Sequence, residues 1–244
     1  MRNILMILRF DGTAYHGWQV QKNAVTVQET LQDAAERILG KRENITGCSR
    51  TDTGVHANMY CCNMRTEHTM DCEKLATALN AVLPRDIAVL QCKEVPFEFH
   101  ARYDCKSKEY IYRINDSGIK DPFDYKYSYF RPYPLDTEFL SREASGYLGA
   151  HDFSAFCAAG SSVKDTVRTV SGAKFERDGN IAVFRVEADG FLYNMVRIMV
   201  GTLLDISAGK IPPGSIPEII DSLDRNRAGF TAPAEGLFLN KIIY

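Results

Sequence analysis

Read by the spacing of its apolar positions, the chain falls into two stretches of similar grammar. Ile4 to Phe10 is an apolar strand candidate closed by Asp11-Gly12-Thr13, and a loop follows. Thr26 and Glu29 stand at capping-box spacing, and Val27, Leu31, Ala34, Ala35 and Ile38 recur at helical intervals, so Thr26 to Leu39 is predicted helical, with Gly40 as its stop. Val55 to Met64 reads as extended. Leu75, Leu79, Val82 and Leu83 mark a second helix ending at Pro84, and Ile87 to Val95 is a strand. In the second stretch Lys108 to Ile114 alternates like a strand, and a helix over Leu140, Ala144, Tyr147 and Leu148 follows Asp136 as its cap. Strands near Val167 to Phe175 and Ile181 to Glu187 are joined by Asp178-Gly179-Asn180. Leu192 to Ser207 is the most apolar helix candidate, a short helix spans Pro217 to Leu223, and Gly236 to Ile243 is the last strand. The pattern predicts two α+β halves, 1–100 and 101–244, with the boundary near Pro96 to Arg102. No Ser- or Gly-rich linker marks it, so the halves are expected to pack together.

Composition narrows the function classes. The 244 residues are 45% hydrophobic and 25% charged, which suits a folded globular chain and excludes disorder or a fibrous repeat. No apolar run reaches the roughly 18 residues needed to cross a bilayer, and the expectation is a cytoplasmic protein without a membrane partner. Seven cysteines, at 48, 61, 62, 72, 92, 105 and 157, show no C-x-x-C pair and read as reduced thiols; the histidines lack metal spacing, so no metal is expected. With 29 basic and 31 acidic residues the net charge is −2, so any polyanion partner must meet a local concentration of basic groups.

The densest cluster of chemistry is Ser49-Arg50-Thr51-Asp52-Thr53-Gly54-Val55-His56. Asp-Thr-Gly by itself is more often a solvated turn than a site. The same triplet matches the aspartic proteases, in which paired carboxylates share a proton, but Arg50 favours a fully ionised Asp52, and the polar lead-in lacks the apolar strand such a site needs. Phe10-Asp11-Gly12-Thr13 approaches a phosphatase pattern whose nucleophile position is Arg9; an arginine forms no acyl phosphate, and Asp11 is read as a turn residue. Arg197 lies in so apolar a helix that it is either exposed or paired with a carboxylate such as Asp52. Tyr193, Arg197 and Gly201 are spaced to share one helical face, with Gly201 leaving room for close approach. Tyr110 and Tyr112 alternate onto one face of a strand near Lys106, Lys108 and Arg113, where they either fill a sheet face or stack a base. His56 alone reads as structural more readily than catalytic.

Five blocks together resemble the bacterial TruA-type tRNA pseudouridine synthases. They are Phe10-Asp11-Gly12-Thr13 through Gly17-Trp18-Gln19; Ser49 through Ala57; Phe99-His100-Ala101-Arg102 through Tyr110; Phe191 through Thr202; and Ala232-Pro233-Ala234-Glu235-Gly236-Leu237. The R-T-D-x-G-V-H-A block is highly specific; Ser49 departs from the usual Gly, and Thr53 occupies a variable position. The resemblance implies the pseudouridine synthase fold: α+β, two similar halves with mixed, mainly antiparallel sheets packed side by side around a central cleft. It implies isomerisation of uridine to pseudouridine at positions 38, 39 and 40 of the tRNA anticodon stem-loop, without cofactor or metal, by a homodimer. Asp52 becomes the catalytic carboxylate, Arg197 its ion-pair partner, Tyr110 the ring beside the target base, Arg50 the side chain filling the vacated stack, and Leu237 an apolar contact to the base. A non-catalytic RNA-binding protein on the same fold is the competing class, and it would be marked by loss of Asp52 or of its arginine partner; both are present.

Overall fold

A computed structural model describes residues 1–161 and 163–244. The fold is α+β with mainly antiparallel strands, in two compact units: 1–106 with 238–244, and 107–237. The break therefore follows Lys106, and the last strand from Phe238 onward belongs with the first unit although the sequence grouped it with the second half.

In the first unit, β1 (Arg2–Phe10) is followed by α1 (Val27–Leu39), β2 (Ile45–Gly47), β3 (His56–Thr66), α2 (Cys72–Val82) and β4 (Ile87–Val95). β1 lies between β3 and β4, antiparallel to both, and β2 adds to β3. Helix α1 starts where expected because the Thr26 hydroxyl accepts from the Glu29 N–H, and it stops at Gly40 in the left-handed region (φ 73°). Asp71 caps α2 in the same way, through the N–H groups of Glu73 and Lys74. Leu31, Ala35, Leu75 and Leu79 are buried along these helices, and Ile4, Met6 and Leu8 along β1.

The second unit holds β5 (Ser107–Asn115), β6 (Tyr129–Phe130), α3 (Thr137–Ala144), β7 (Gly149–Asp152), β8 (Val167–Asp178), β9 (Ile181–Ala188), α4 (Met195–Ser207) and α5 (Ile216–Ser222). Its strands run β5-β9-β8-β7, all antiparallel, with β6 parallel to β5. The β8–β9 hairpin turns at Gly179, whose φ of 55° suits a tight reversal. Helix α4 starts three residues later than predicted, because Asn194 adopts φ 58° and keeps Leu192 and Tyr193 out of the helix. Tyr193 therefore does not share a helical face with Arg197 and Gly201, which corrects that expectation. β10 (Leu237–Ile243) then pairs in parallel with β3, Phe238 opposite His56.

None of the seven cysteines is joined in a disulfide, and among the described residues no group of three or more His, Cys, Asp or Glu could hold a metal ion. Among the described residues no helix is long and apolar enough to cross a membrane. Burial pushes the Cys61 thiol up to about 11 and Cys92 to about 12, and raises Cys62 well above its ordinary value. Thiolate is the reactive form. Cys61, Cys62 and Cys92 are therefore expected to alkylate at least about 100-fold more slowly than half-buried Cys72 and Cys157 in the native protein. Mass-spectrometric mapping of a time course checks this, and equal rates would show that the first unit opens readily.

Candidate active site

The Ser49–His56 loop sits between β2 and β3 and is fastened through its main chain. Trp18 N–H donates to the Thr51 carbonyl (3.4 Å), Gly54 N–H to the Tyr15 carbonyl (3.2 Å), and Val55 N–H to the Asp52 carbonyl (3.2 Å). Two glycines permit this closeness. A Cβ on Gly12 would lie 2.0 Å from the Val55 oxygen, and one on Gly17, itself at φ 80°, 2.2 Å from the Thr51 oxygen. No side chain fits at either position, so the Phe10–Gln19 block serves as a bed shaped to hold the loop. Gly54 (φ 79°) turns the chain into β3. On the other flank the Tyr60 hydroxyl donates to the Ser49 carbonyl, and its ring stacks on Trp18 at 4.1 Å.

Within this frame Asp52 is half-buried and Arg50 exposed. His56 is buried; its Nδ1 accepts from Gly12 N–H (3.0 Å), and its ring stacks on Phe238 at 4.6 Å. This packing carries the structural reading of His56. Asp11 accepts from both Thr13 N–H (2.9 Å) and the Thr13 hydroxyl (2.5 Å), a turn rather than a nucleophile.

The second unit carries Tyr110, Arg197 and Leu237. Arg197 is half-buried on α4, and its guanidinium is aimed by two contacts: Nε donates to the Ala232 carbonyl (2.6 Å) and Nη1 to Asn194 Oδ1 (2.8 Å). Asn194 was identifiable, standing three residues before Arg197 at the mouth of the helix. The Ala232 carbonyl was not, since nothing local ties residue 232 to residue 197. The Ala232 N–H also donates to the Arg197 carbonyl (3.1 Å), which clamps segment 228–232 across α4. Gly201 makes the crossing possible: a Cβ there would stand 1.7 Å from the Phe230 oxygen. The expectation of close approach at Gly201 holds. Gly201→Ala is expected to destabilise the protein by about 2–3 kcal/mol, because overpacking outweighs the ~1 kcal/mol gained from helix propensity. The melting temperature should fall by roughly 4–10 °C; an unchanged melting curve would mean the segment slides aside at no cost.

The same segment reaches β5. The Tyr112 hydroxyl donates to the Pro233 carbonyl (2.8 Å), and Gly236 lies so close that a Cβ would be 2.7 Å from the Arg113 oxygen. Tyr112 is fully buried and belongs to packing, the plainer of the two readings. Tyr110, two residues away on the same face, is 6% exposed with its ring edge-on to Phe191 at 5.1 Å. Leu237, also buried, closes the segment where β10 begins. One stretch, 228–237, thus supports Arg197, Tyr112 and Leu237 together.

A family model described as tRNA pseudouridine synthase matches residues 6–104 and 144–244. The protein named tRNA pseudouridine synthase A from Thermoanaerobacter sp. (strain X514) is 49% identical over 244 residues, covering 100% of both chains. Proteins of the same name from Acetivibrio thermocellus and Clostridium acetobutylicum are 47% and 46% identical, again over 100% of both chains. Among solved structures, one chain of the archaeal box H/ACA sRNP Nop10-Cbf5 complex matches at 13% identity and a TM-score of 0.34, over 81% of this chain and 41% of that one, a likeness that carries no argument. Full-length identity at this level settles the family: the chain belongs to the tRNA pseudouridine synthases, which are isomerases.

Proposed function

We propose that this protein converts uridine to pseudouridine at positions 38, 39 and 40 of the tRNA anticodon stem-loop, with Asp52 as its single catalytic carboxylate. The observation that carries the reading is the Arg50–Asp52 loop, fastened by its own main chain to the Gly12–Trp18 bed in a chain 49% identical throughout to a tRNA pseudouridine synthase A. Rate depends on a carboxylate held where the reacting atom arrives.

The reaction breaks the bond from the sugar C1′ to N1 of uracil, turns the base and rejoins C1′ to C5; C5 gives up a proton and the freed N1 takes one up. Atoms are conserved and no redox change occurs, so the chemistry calls for neither metal nor organic cofactor. One carboxylate suffices where a glycosidase needs two, because the departing base itself returns as nucleophile and no water is activated. Asp52 attacks C1′, adds to the base or removes the 2′ proton, and each route uses an ionised, positioned carboxylate. In this reading Arg197 is its ion-pair partner, already oriented by Ala232 and Asn194. Tyr110 lies beside the target ring and Leu237 against it. A base within or beside a stem must be flipped out at a cost of about a few kcal/mol, and exposed Arg50 suits the vacated stack. The protein acts as a cytoplasmic homodimer, in which two chains combine their basic groups despite a net charge of −2 each.

The test is to map pseudouridine in unmodified tRNA transcripts incubated with the protein alone, without added metal or nucleotide. Conversion confined to positions 38–40 is expected. Tight tRNA binding with no conversion would replace this reading by that of a non-catalytic RNA-binding protein.

A further inference from the structure

Beyond Arg197, along the same helix, the second unit carries a pocket of about 690 Å³ that the reaction above does not use. Lys210, Arg225, Asn226, Arg227, Phe230 and Asp205 are among the residues that line it, so three cations face one carboxylate. Arg225 is committed to the wall: Nη1 donates to the carbonyls of Ala228 (3.4 Å) and Gly229 (2.9 Å), and Nη2 to the Thr231 hydroxyl (3.2 Å). Lys210 and Arg227 are differently placed. Their side chains are 70% and 50% exposed. Arg227 pairs at 3.7 Å with the exposed Glu218, a surface pair that an RNA phosphate displaces cheaply, whereas Lys210 pairs at 3.1 Å with Asp205, which is 13% exposed and also accepts from the Phe230 N–H, so Lys210 keeps this partner and offers its remaining N–H donors to a phosphate. Phe230, in the same lining, is 39% exposed, and its backbone is wedged against Gly201, which anchors the residue that carries the ring.

Cations beside an aromatic ring are the two components of a nucleotide site, one for the phosphate and one for the base. The volume lies within the range of small-ligand pockets and accommodates one nucleotide. We propose that this pocket binds a single tRNA nucleotide outside the target uridine, its phosphate on Lys210 and Arg227 and its base on Phe230. The inference rests on the tRNA-modifying reading above and adds a second point of RNA attachment. Asp205 stands eight residues from Arg197 on α4, about 12 Å along the axis, so the bound nucleotide flanks the reacting one rather than being it. The wall of the pocket also runs directly into Ala232, whose carbonyl holds Arg197.

Binding of unmodified tRNA transcript, measured against salt, tests the site. For Lys210→Ala/Arg227→Ala the dissociation constant is expected to rise about tenfold near 0.1 M salt, and the slope of log affinity against log salt to fall by about one to two. Phe230→Ala should weaken binding about fivefold without changing the slope, since stacking releases no counterions. Arg227→Lys should bind within about twofold of wild type, and Glu218→Ala, which removes the ion pair but leaves the cation, should not weaken binding, whereas a purely structural role for the Arg227–Glu218 pair would make Glu218→Ala as weak as the Arg227 alanine variant. Lys41→Ala, an exposed lysine after α1, controls for general loss of charge. Should the double variant fold poorly, Lys210→Ala alone keeps the test decisive, because that side chain is mostly exposed. Wild-type affinity and slope in these variants would overturn the proposal. Inorganic phosphate and cytidine monophosphate, titrated as competitors, distinguish the source: displacement of tRNA by the free monophosphate at micromolar concentration would reassign the pocket to a free nucleotide. Pseudouridine mapping of the wild-type reactions separates the two ideas, for absent conversion with intact pocket effects sinks the reaction and not the site.

Discussion

Replacing Asp52 by asparagine is expected to lower turnover by at least about 10³-fold while tRNA affinity stays within about tenfold. The amide matches the carboxylate in shape but is neither a nucleophile toward C1′ nor a base toward a ribose proton. The loop should survive the change, because its fastening is main-chain: the Thr51 and Asp52 carbonyls accept, and Gly54 N–H donates, whichever side chain residue 52 bears. Single-turnover pseudouridine formation at saturating enzyme separates chemistry from binding. Turnover within tenfold of wild type would remove Asp52 from the reaction. Loss of affinity by more than about 100-fold together with a lowered melting temperature would mean instead that the carboxylate builds the loop.

The sequence made most elements legible where a local cause governed them. Thr26 and Asp136, the caps legible in the sequence, each accept from N–H groups in the first turn that follows, as does Asp71, which was not singled out, and capping is a short-range interaction between neighbours in the chain. Three-residue β2 and two-residue β6 escaped notice because so few positions show no period, and they exist only through the strands beside them. The grouping of β10 with the first unit was hidden for another reason. Parallel pairing of Phe238 with His56 joins residues far apart in the chain, and a hydrophobic run does not encode its partner.

The candidate site divides along the same line. The carboxylate, guanidinium and turn residues of 49–56 formed a visible cluster, and the R-T-D-x-G-V-H-A block gave it a family. Why Gly12 and Gly17 must be glycine was invisible, since the atoms that crowd them, the Val55 and Thr51 oxygens, lie about forty residues on. Arg197 was singled out by its apolar surroundings as either exposed or paired with a carboxylate, and it is half-buried. Two of its partners are a neighbouring amide and a main-chain carbonyl from 35 residues away, and only the first of these follows from helical spacing.

Arg197→Ala should cost at least about 10²-fold in turnover and, because two hydrogen bonds from a charged group are lost at a partly buried position, about 1–3 kcal/mol of stability. The stability loss follows from the contacts within the second unit; the loss of rate follows from the proposed pairing with Asp52. The two are separable. Arg197→Lys retains the charge but not the planar fork that serves Ala232 and Asn194 together, so it should recover part of the rate and little of the stability. A cycle with Asp52→Asn then isolates the pairing. If the two side chains act as a unit, the double variant is no slower than Asp52→Asn alone within about threefold, since the arginine has no carboxylate left to orient. Losses that multiply would show that Arg197 serves the reaction independently of Asp52, and wild-type turnover in Arg197→Ala would show that it serves only to tie segment 228–232 to α4.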